Sequence, residues 1–122
     1  VSAAVDTALA TLAADMPIAD EERADVTTVV DAVEELMTGW GLPLSDERRL
    51  ALTAHSLAFV RRIRTRDQLP EIDLDDFPEI PEKTVSGLRT ALIPYCSARE
   101  SELADEEVLL FAMHVEVARL IP

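Results

Sequence analysis

Between Asp20 and Gly41 the apolar residues fall at Val26, Val29, Val30, Val33, Leu36 and Met37. Steps of three and four put them on one side of a 3.6-residue helix. The stretch opens on Asp20, Glu21 and Glu22, which suit the partial positive charge of a helix N-terminus. It closes at Gly39 or Gly41, where glycine makes a left-handed cap easy. A helix with such a stripe must bury it, so the question becomes what else in the chain can pack against it.

Other segments carry the same signature. Ser2 caps a helix expected to run to about Asp15, with Val5, Leu9, Leu12 and Met16 on one face and Pro17 as its stop. After the short link GLPL, Ser45, Asp46 and Glu47 start a third helix lasting to about Arg66. Its apolar residues are Leu50, Leu52, Ala54, Leu57, Ala58, Phe59 and Ile63. A fourth runs from Pro81 or Glu82 to Arg99 with Pro94 inside it as a kink, and a fifth runs from near Asp105 to the C-terminus. Ala, Leu and Val are plentiful, whereas the chain holds three Gly, one Trp, one Tyr and three Phe, a balance that favours helices over strands. At 122 residues and 48% hydrophobic, the chain suits one core. The expectation is an all-α protein, residues 1–122 forming one domain, a compact bundle of about five helices.

One segment breaks the pattern. Asp67 to Pro81, DQLPEIDLDDFPEIP, holds three prolines and six acids and cannot be a regular helix. Its Leu69, Ile72, Leu74, Phe77 and Ile80 predict that it lies against the bundle. DLDDF lacks the glycine and the distal glutamate of an EF-hand calcium loop.

The chain's 24 acids against 11 bases give a formal charge of −13, which repels phosphate backbones and anionic lipid. Direct nucleic-acid binding is not expected, whereas basic partner proteins would be attracted. The longest apolar or neutral run, Leu50 to Val60, is about half the ~20 residues that span a bilayer, so no membrane segment is expected. A single cysteine, Cys96, and an N-terminus without a basic leader suit a cytoplasmic protein. The four arginines that close the third helix, Arg61, Arg62, Arg64 and Arg66, stabilise its negative pole by roughly 0.3–1 kcal/mol each where exposed. Such a cluster in an acidic chain invites a second reason.

The two histidines both lie on helical apolar stripes. His55 has Leu52, Ala58 and Phe59 as helical neighbours, and His114 has Leu110, Phe111, Val117 and Ala118. A core role suits an isolated histidine in that setting, yet a neutral imidazole can also be a metal ligand, a general base or a phosphate acceptor. Metal binding lacks support, with no HExxH, no CxxC and no second cysteine. Cys96 sits beside Tyr95 without a glycine-rich turn or oxyanion signature, so no nucleophile pair is indicated. Arg62 stands seven residues after His55, two turns along nearly the same face, a spacing compatible with a guanidinium that holds a phosphate.

The stretch VVDAVEELMTGWGLPLSDERRLALTAHSLAFVRRI resembles the opening of the PTS regulation domain (PRD), a module of bacterial sugar-uptake regulators. Leu52, His55 and Arg62 fall on the first signature of that family. ADEEVLLFAMHVEVARL, whose histidine follows His55 by 59 residues, is similar to the second, with Glu107, Ala112 and His114 in place. The resemblance covers about residues 24–121. It implies regulation and not enzymatic turnover, with no catalytic residue, metal or cofactor. By that resemblance His55 and His114 are phosphoacceptors and Arg62 interacts with the phosphate. The implied partners are a histidine-containing phosphocarrier protein or an enzyme II B component, a second copy of the chain in a homodimer, and a separate transcriptional regulator. Ser56 departs from the bulky aliphatic residue common at its place, and the chain carries one copy of the module without a basic output domain, so it acts through partners or belongs to a longer regulator. A module that has lost phosphate transfer and serves as a dimerisation or docking scaffold is the alternative. A small helical enzyme with a histidine base is a third reading.

Overall fold

The computed structural model of the protein describes residues 2–14, 17–67, 69 and 79–120. Five helices hold most of them: α1 (Ser2–Ala13), α2 (Asp20–Gly39), α3 (Asp46–Thr65), α4 (Glu82–Ala98) and α5 (Asp105–Leu120). No strand occurs among the described residues, and no helix there is long and apolar enough to cross a membrane. Helix α2 packs against α1, α3 and α4, while α5 packs against α3 and α4.

The stripe of α2 does what its spacing predicts. Val26, Val29, Val30 and Val33 are at most 1% exposed and Met37 is 2% exposed, so the helix forms the spine of a single core. Full burial of each such side chain stabilises by roughly 1.5–3 kcal/mol. From α1, Val5 and Leu9 reach the same core, Leu12 is half-buried, and Met16 lies outside the described residues. On α3 the buried set differs from the expected one, because Ala54 is exposed and Leu50 half-buried. Leu52, Leu57, Phe59 and Val60 are buried together with Thr53 and Ser56. The Thr53 hydroxyl donates to the Arg49 carbonyl at 2.7 Å, whereas the Ser56 Oγ is buried without a partner.

The helix ends follow local chemistry. Glu22 Oε1 accepts from the Ala19 N–H at 3.0 Å, and Ser45 Oγ accepts from the Arg48 N–H at 3.2 Å. Past the end of α2 Gly41 adopts φ 72°, and the Gly41 and Leu42 N–H groups donate to the Thr38 and Met37 carbonyls at 3.0 and 2.9 Å, a Schellman cap. Between Gly39 and Gly41 it is therefore the second that takes the left-handed position. Helix α4 runs through Pro94, which is exposed, and continues to Ala98. Gly87 on α4 meets the Trp40 ring closely enough that an added Cβ would lie 2.8 Å from Cζ2, so the glycine makes room for the indole. Of the segment from Asp67 to Pro81, Ile80 packs against the core, and the expectation for Ile72, Leu74 and Phe77 lies outside the described residues.

The arginine cluster at the end of α3 has its second reason in tertiary pairing. Arg61 Nε donates to Glu22 at 2.7 Å, Arg62 binds Glu107, Arg64 Nε donates to Asp25 at 2.9 Å, and Arg66 reaches the Arg99 and Glu100 carbonyls at 3.4 Å. Buried Asp25 also accepts from the Tyr95 hydroxyl at 2.9 Å and from Arg99 at 2.6 Å. One carboxylate thus joins α2, α3 and the C-terminal end of α4. At the other end of α3, Arg49 forms an ion pair with buried Glu34 of α2.

Candidate functional site

Helices α3 and α5 meet along a seam built from residues seven apart in each. Arg62 pairs with Glu107, and two turns earlier on α3 His55 faces His114, two turns later on α5. The two helices therefore run antiparallel along the seam, and the heptad spacing keeps both layers on the facing sides. Glu107, 5% exposed, accepts two hydrogen bonds from one guanidinium, from Arg62 Nε at 2.8 Å and from Nη2 at 2.7 Å.

The two imidazoles stack with ring centroids 4.9 Å apart and planes inclined by 29°. Residues 59 positions apart in the chain are thus in direct ring contact. Phe111 meets His55 edge-on at 4.5 Å, and Phe59 meets Phe111 edge-on at 5.2 Å. Phe59 and Phe111 are fully buried, whereas His55 and His114 are both half-buried, with exposed Met113 next to His114 in the chain.

Burial sets the electrostatics. It pushes the His55 imidazole from 6.5 down to about 4, with the charges of His114 and Arg62 acting in the same direction. His114 is also held below its ordinary value, first by burial and then by the Arg48 charge. Both rings are therefore neutral at neutral pH, each with an unprotonated nitrogen, the form that acts as a nucleophile. The His55 Nε2 is buried without a hydrogen-bond partner. Burial, and after it Glu107, raises the Cys96 thiol, which keeps it protonated and unreactive.

Each of the three site residues expected from the sequence lies on this seam. The histidines are brought together, while Arg62 turns its fork to Glu107 and not to a ring nitrogen. Among the described residues no group of three or more His, Cys, Asp or Glu is placed to hold a metal ion. Neither histidine lines the apolar groove formed by Ile80, Met113, Val117 and Leu120, nor the basic cleft formed by Ile63, Arg64, Arg66 and Arg99.

No family model matches the chain, and no curated protein or solved structure matches it significantly. The likeness to the PTS regulation domain accordingly rests on the sequence motifs alone.

Sequence reasoning did not single out Arg48, whose charge acts on the His114 ring, or Asp31 of α2, away from the histidines. Arg48 precedes His55 by seven, as Arg62 follows it by seven, so the spacing that drew attention to Arg62 applied equally to Arg48. Its Nε is buried without a hydrogen-bond partner, and its one ion-pair approach is to exposed Glu47 at 3.9 Å. Asp31 Oδ1 is likewise buried and unpartnered, and burial, followed by the Glu34 charge, raises the Asp31 carboxyl. Nothing in the sequence around Asp31 marks it.

Proposed function

We propose that this domain is a phosphohistidine-responsive regulatory module of the PRD type, in which the phosphoryl group of a histidine-containing phosphocarrier or an enzyme II B component is received at the His55–His114 pair. The observation that carries the reading is the ring stack itself. Two histidines that match the two signature positions of one family are in contact at 4.9 Å, although nothing in helix packing as such requires them to meet. Neutral imidazoles are suited to attack phosphorus, and the surrounding acidic chain supplies the means of response. A phosphoryl group adds roughly −1.5 to −2 charges to a domain already at −13. Across a seam between two copies, or between the domain and a partner, that addition shifts association by repulsion. A differential of a few kcal/mol is sufficient to reverse a two-state equilibrium.

The scaffold alternative draws on two observations. Arg62 already gives its Nε and Nη2 donors to Glu107, and the His55 Nε2 is buried without a hydrogen-bond partner. In that reading the pair is a packing element and the domain associates with partners irrespective of phosphate.

Solution mass measured by sedimentation, before and after treatment with a phosphorylated phosphocarrier, separates the two. The regulatory reading predicts a change in association state for the wild type and none for a His55→Ala/His114→Ala double variant. Equal behaviour of the two proteins favours the scaffold.

A further inference from the structure

Where the C-terminal ends of α3 and α4 meet, Ile63, Arg64, Arg66, Ala98 and Arg99 line a cleft of about 530 Å³. Every charged side chain on its wall is an arginine, in a chain whose net charge is −13. The three guanidinium groups share one buried carboxylate, that of Asp25, which accepts from Arg64 Nε at 2.9 Å and from Arg99 Nη2 at 2.6 Å. Glu21 approaches Arg64 to 3.9 Å, but its side chain is 81% exposed. Glu100 and Glu102 line an adjoining cleft with Arg62 and Arg66, and not this one.

Arg66 stands apart from the other two. Among the described residues it meets no carboxylate, and its Nη donors reach the Glu100 and Arg99 carbonyls at 3.4 Å, longer than a good hydrogen bond. The Nε–H groups of Arg66 and Arg99 have no acceptor among the described residues. Unused donors and excess positive charge thus face one cleft. Arg64 is tied to Asp25 and to the Glu21 carbonyl, and Arg99 to Asp25 and the Tyr95 carbonyl, with its guanidinium over the Tyr95 ring at 3.9 Å. Groups held in this way lose little freedom when a ligand arrives.

We propose that this cleft binds the dianionic group of a small phosphate monoester, with Arg66 as its main partner and with Arg64 and Arg99 supplying further donors. Guanidinium forks match phosphate oxygens, and a tetrahedral dianion can accept from three arginines at once. Ile63 and Ala98 offer the organic part of the ester an apolar wall, and the cleft falls within the range of about 300–1,000 Å³ common to small-molecule sites. A nucleic-acid strand would lay further negative charge over an acidic surface, whereas a monoester brings its charge to the cleft alone. Neither histidine lines the cleft, so the site stands independently of phosphate transfer on the α3–α5 seam.

Amide proton–nitrogen NMR spectra of the full chain test this, with glycerol 1-phosphate and inorganic phosphate as probes and sodium chloride at matched ionic strength as control. Saturable shifts are expected at residues 63–66 and 98–101 with both phosphates, the ester binding more tightly. Arg66 sits at φ 59°, a conformation that asparagine tolerates, so Arg66→Asn keeps the helix end. In that variant the affinity for the ester is expected to fall roughly tenfold, the loss of a charge-assisted hydrogen bond, and Arg66→Lys is expected to recover part of it. Thermal unfolding of both variants controls for a structural effect. Shifts that fail to saturate, or that chloride reproduces, overturn the site. An unchanged affinity in Arg66→Asn overturns the role of Arg66. Inorganic phosphate bound as tightly as the ester overturns the ester as ligand, and a phosphoserine peptide bound more tightly than glycerol 1-phosphate overturns the assignment to a small molecule.

Discussion

At the scale of single residues, the behaviour of the site turns on burial of two neutral imidazoles. His55 has an ordinary value of 6.5 in the unfolded chain and about 4 in the fold, so between those limits the unfolded state binds the proton and the folded state does not. The stabilising effect is fully present above pH 6.5, is lost progressively as the pH falls, and is exhausted near pH 4, amounting to roughly 3 kcal/mol. His114, shifted in the same direction, adds to the slope. Among the carboxylates, Glu22 is held low by its hydrogen bond from Arg61, so its contribution is lost only in more acid solution. Asp31, raised by burial, acts in the opposite sense, taking up its proton more readily in the fold. Urea unfolding followed from pH 6.5 to 5 is therefore expected to show a decline dominated by the histidines, and His55→Phe should flatten it. An undiminished slope in that variant would mean that His55 is solvated and not packed as described.

At the scale of elements, the ends of helices show which signals the sequence carried and which it did not. Gly41 was legible as a cap because glycine adopts a left-handed conformation at little cost. The end of α4 uses the same device without the glycine. Glu100 sits at φ 54°, with its N–H donating to the Ser97 carbonyl at 3.1 Å and the Ser101 N–H donating to the Cys96 carbonyl at 2.9 Å. A non-glycine residue in that region costs about 1–2 kcal/mol, so no composition rule marks it, and the chain accepts the strain because the cap and the tertiary contacts around it outweigh it. Glu100→Gly is accordingly expected to raise stability by about 1 kcal/mol, read as a higher denaturant midpoint at unchanged slope; a lower midpoint would show that the cap is not formed. The stripe of α2 was legible from spacing alone and that of α1 in Val5 and Leu9, whereas on α5 Phe111 and Ala118 are buried as expected, Leu110 and Val117 only half so, and Val108 and Val115 carry the rest. That of α3 was misread in part, since Thr53 and Ser56 are buried although polar, and a pattern of apolar letters cannot register them.

Across the whole molecule, the links that fix the helices to one another were the least legible part, because they join residues far apart in sequence. Each arginine at the end of α3 could be read as a helix-end cation, and none carries a mark of its partner. Asp25 and Arg99 are 74 positions apart, and Tyr95 with its ring 3.9 Å from the Arg99 guanidinium completes the joint. Asp25→Asn removes the charge that holds Arg64 and Arg99 together. With both arginines about one-third exposed, solvent takes up part of the loss, and a destabilisation of about 2 kcal/mol is expected by thermal unfolding. The seam between α3 and α5 was legible only in halves. Its two histidines were each visible as stripe residues, and the heptad intervals from Arg48 to His55 to Arg62 and from Glu107 to His114 were present in the sequence, but their antiparallel alignment becomes visible only when the helices are packed. That alignment is what turns two core-like histidines into one candidate site. The most direct test is transfer itself: the domain is incubated with a phosphorylated histidine phosphocarrier and followed by intact mass and ³¹P NMR. The account predicts a species heavier by one phosphoryl group, with an acid-labile phosphohistidine resonance that is absent from the His55→Ala/His114→Ala variant. No such species, under conditions where the same carrier phosphorylates a known acceptor, would contradict it.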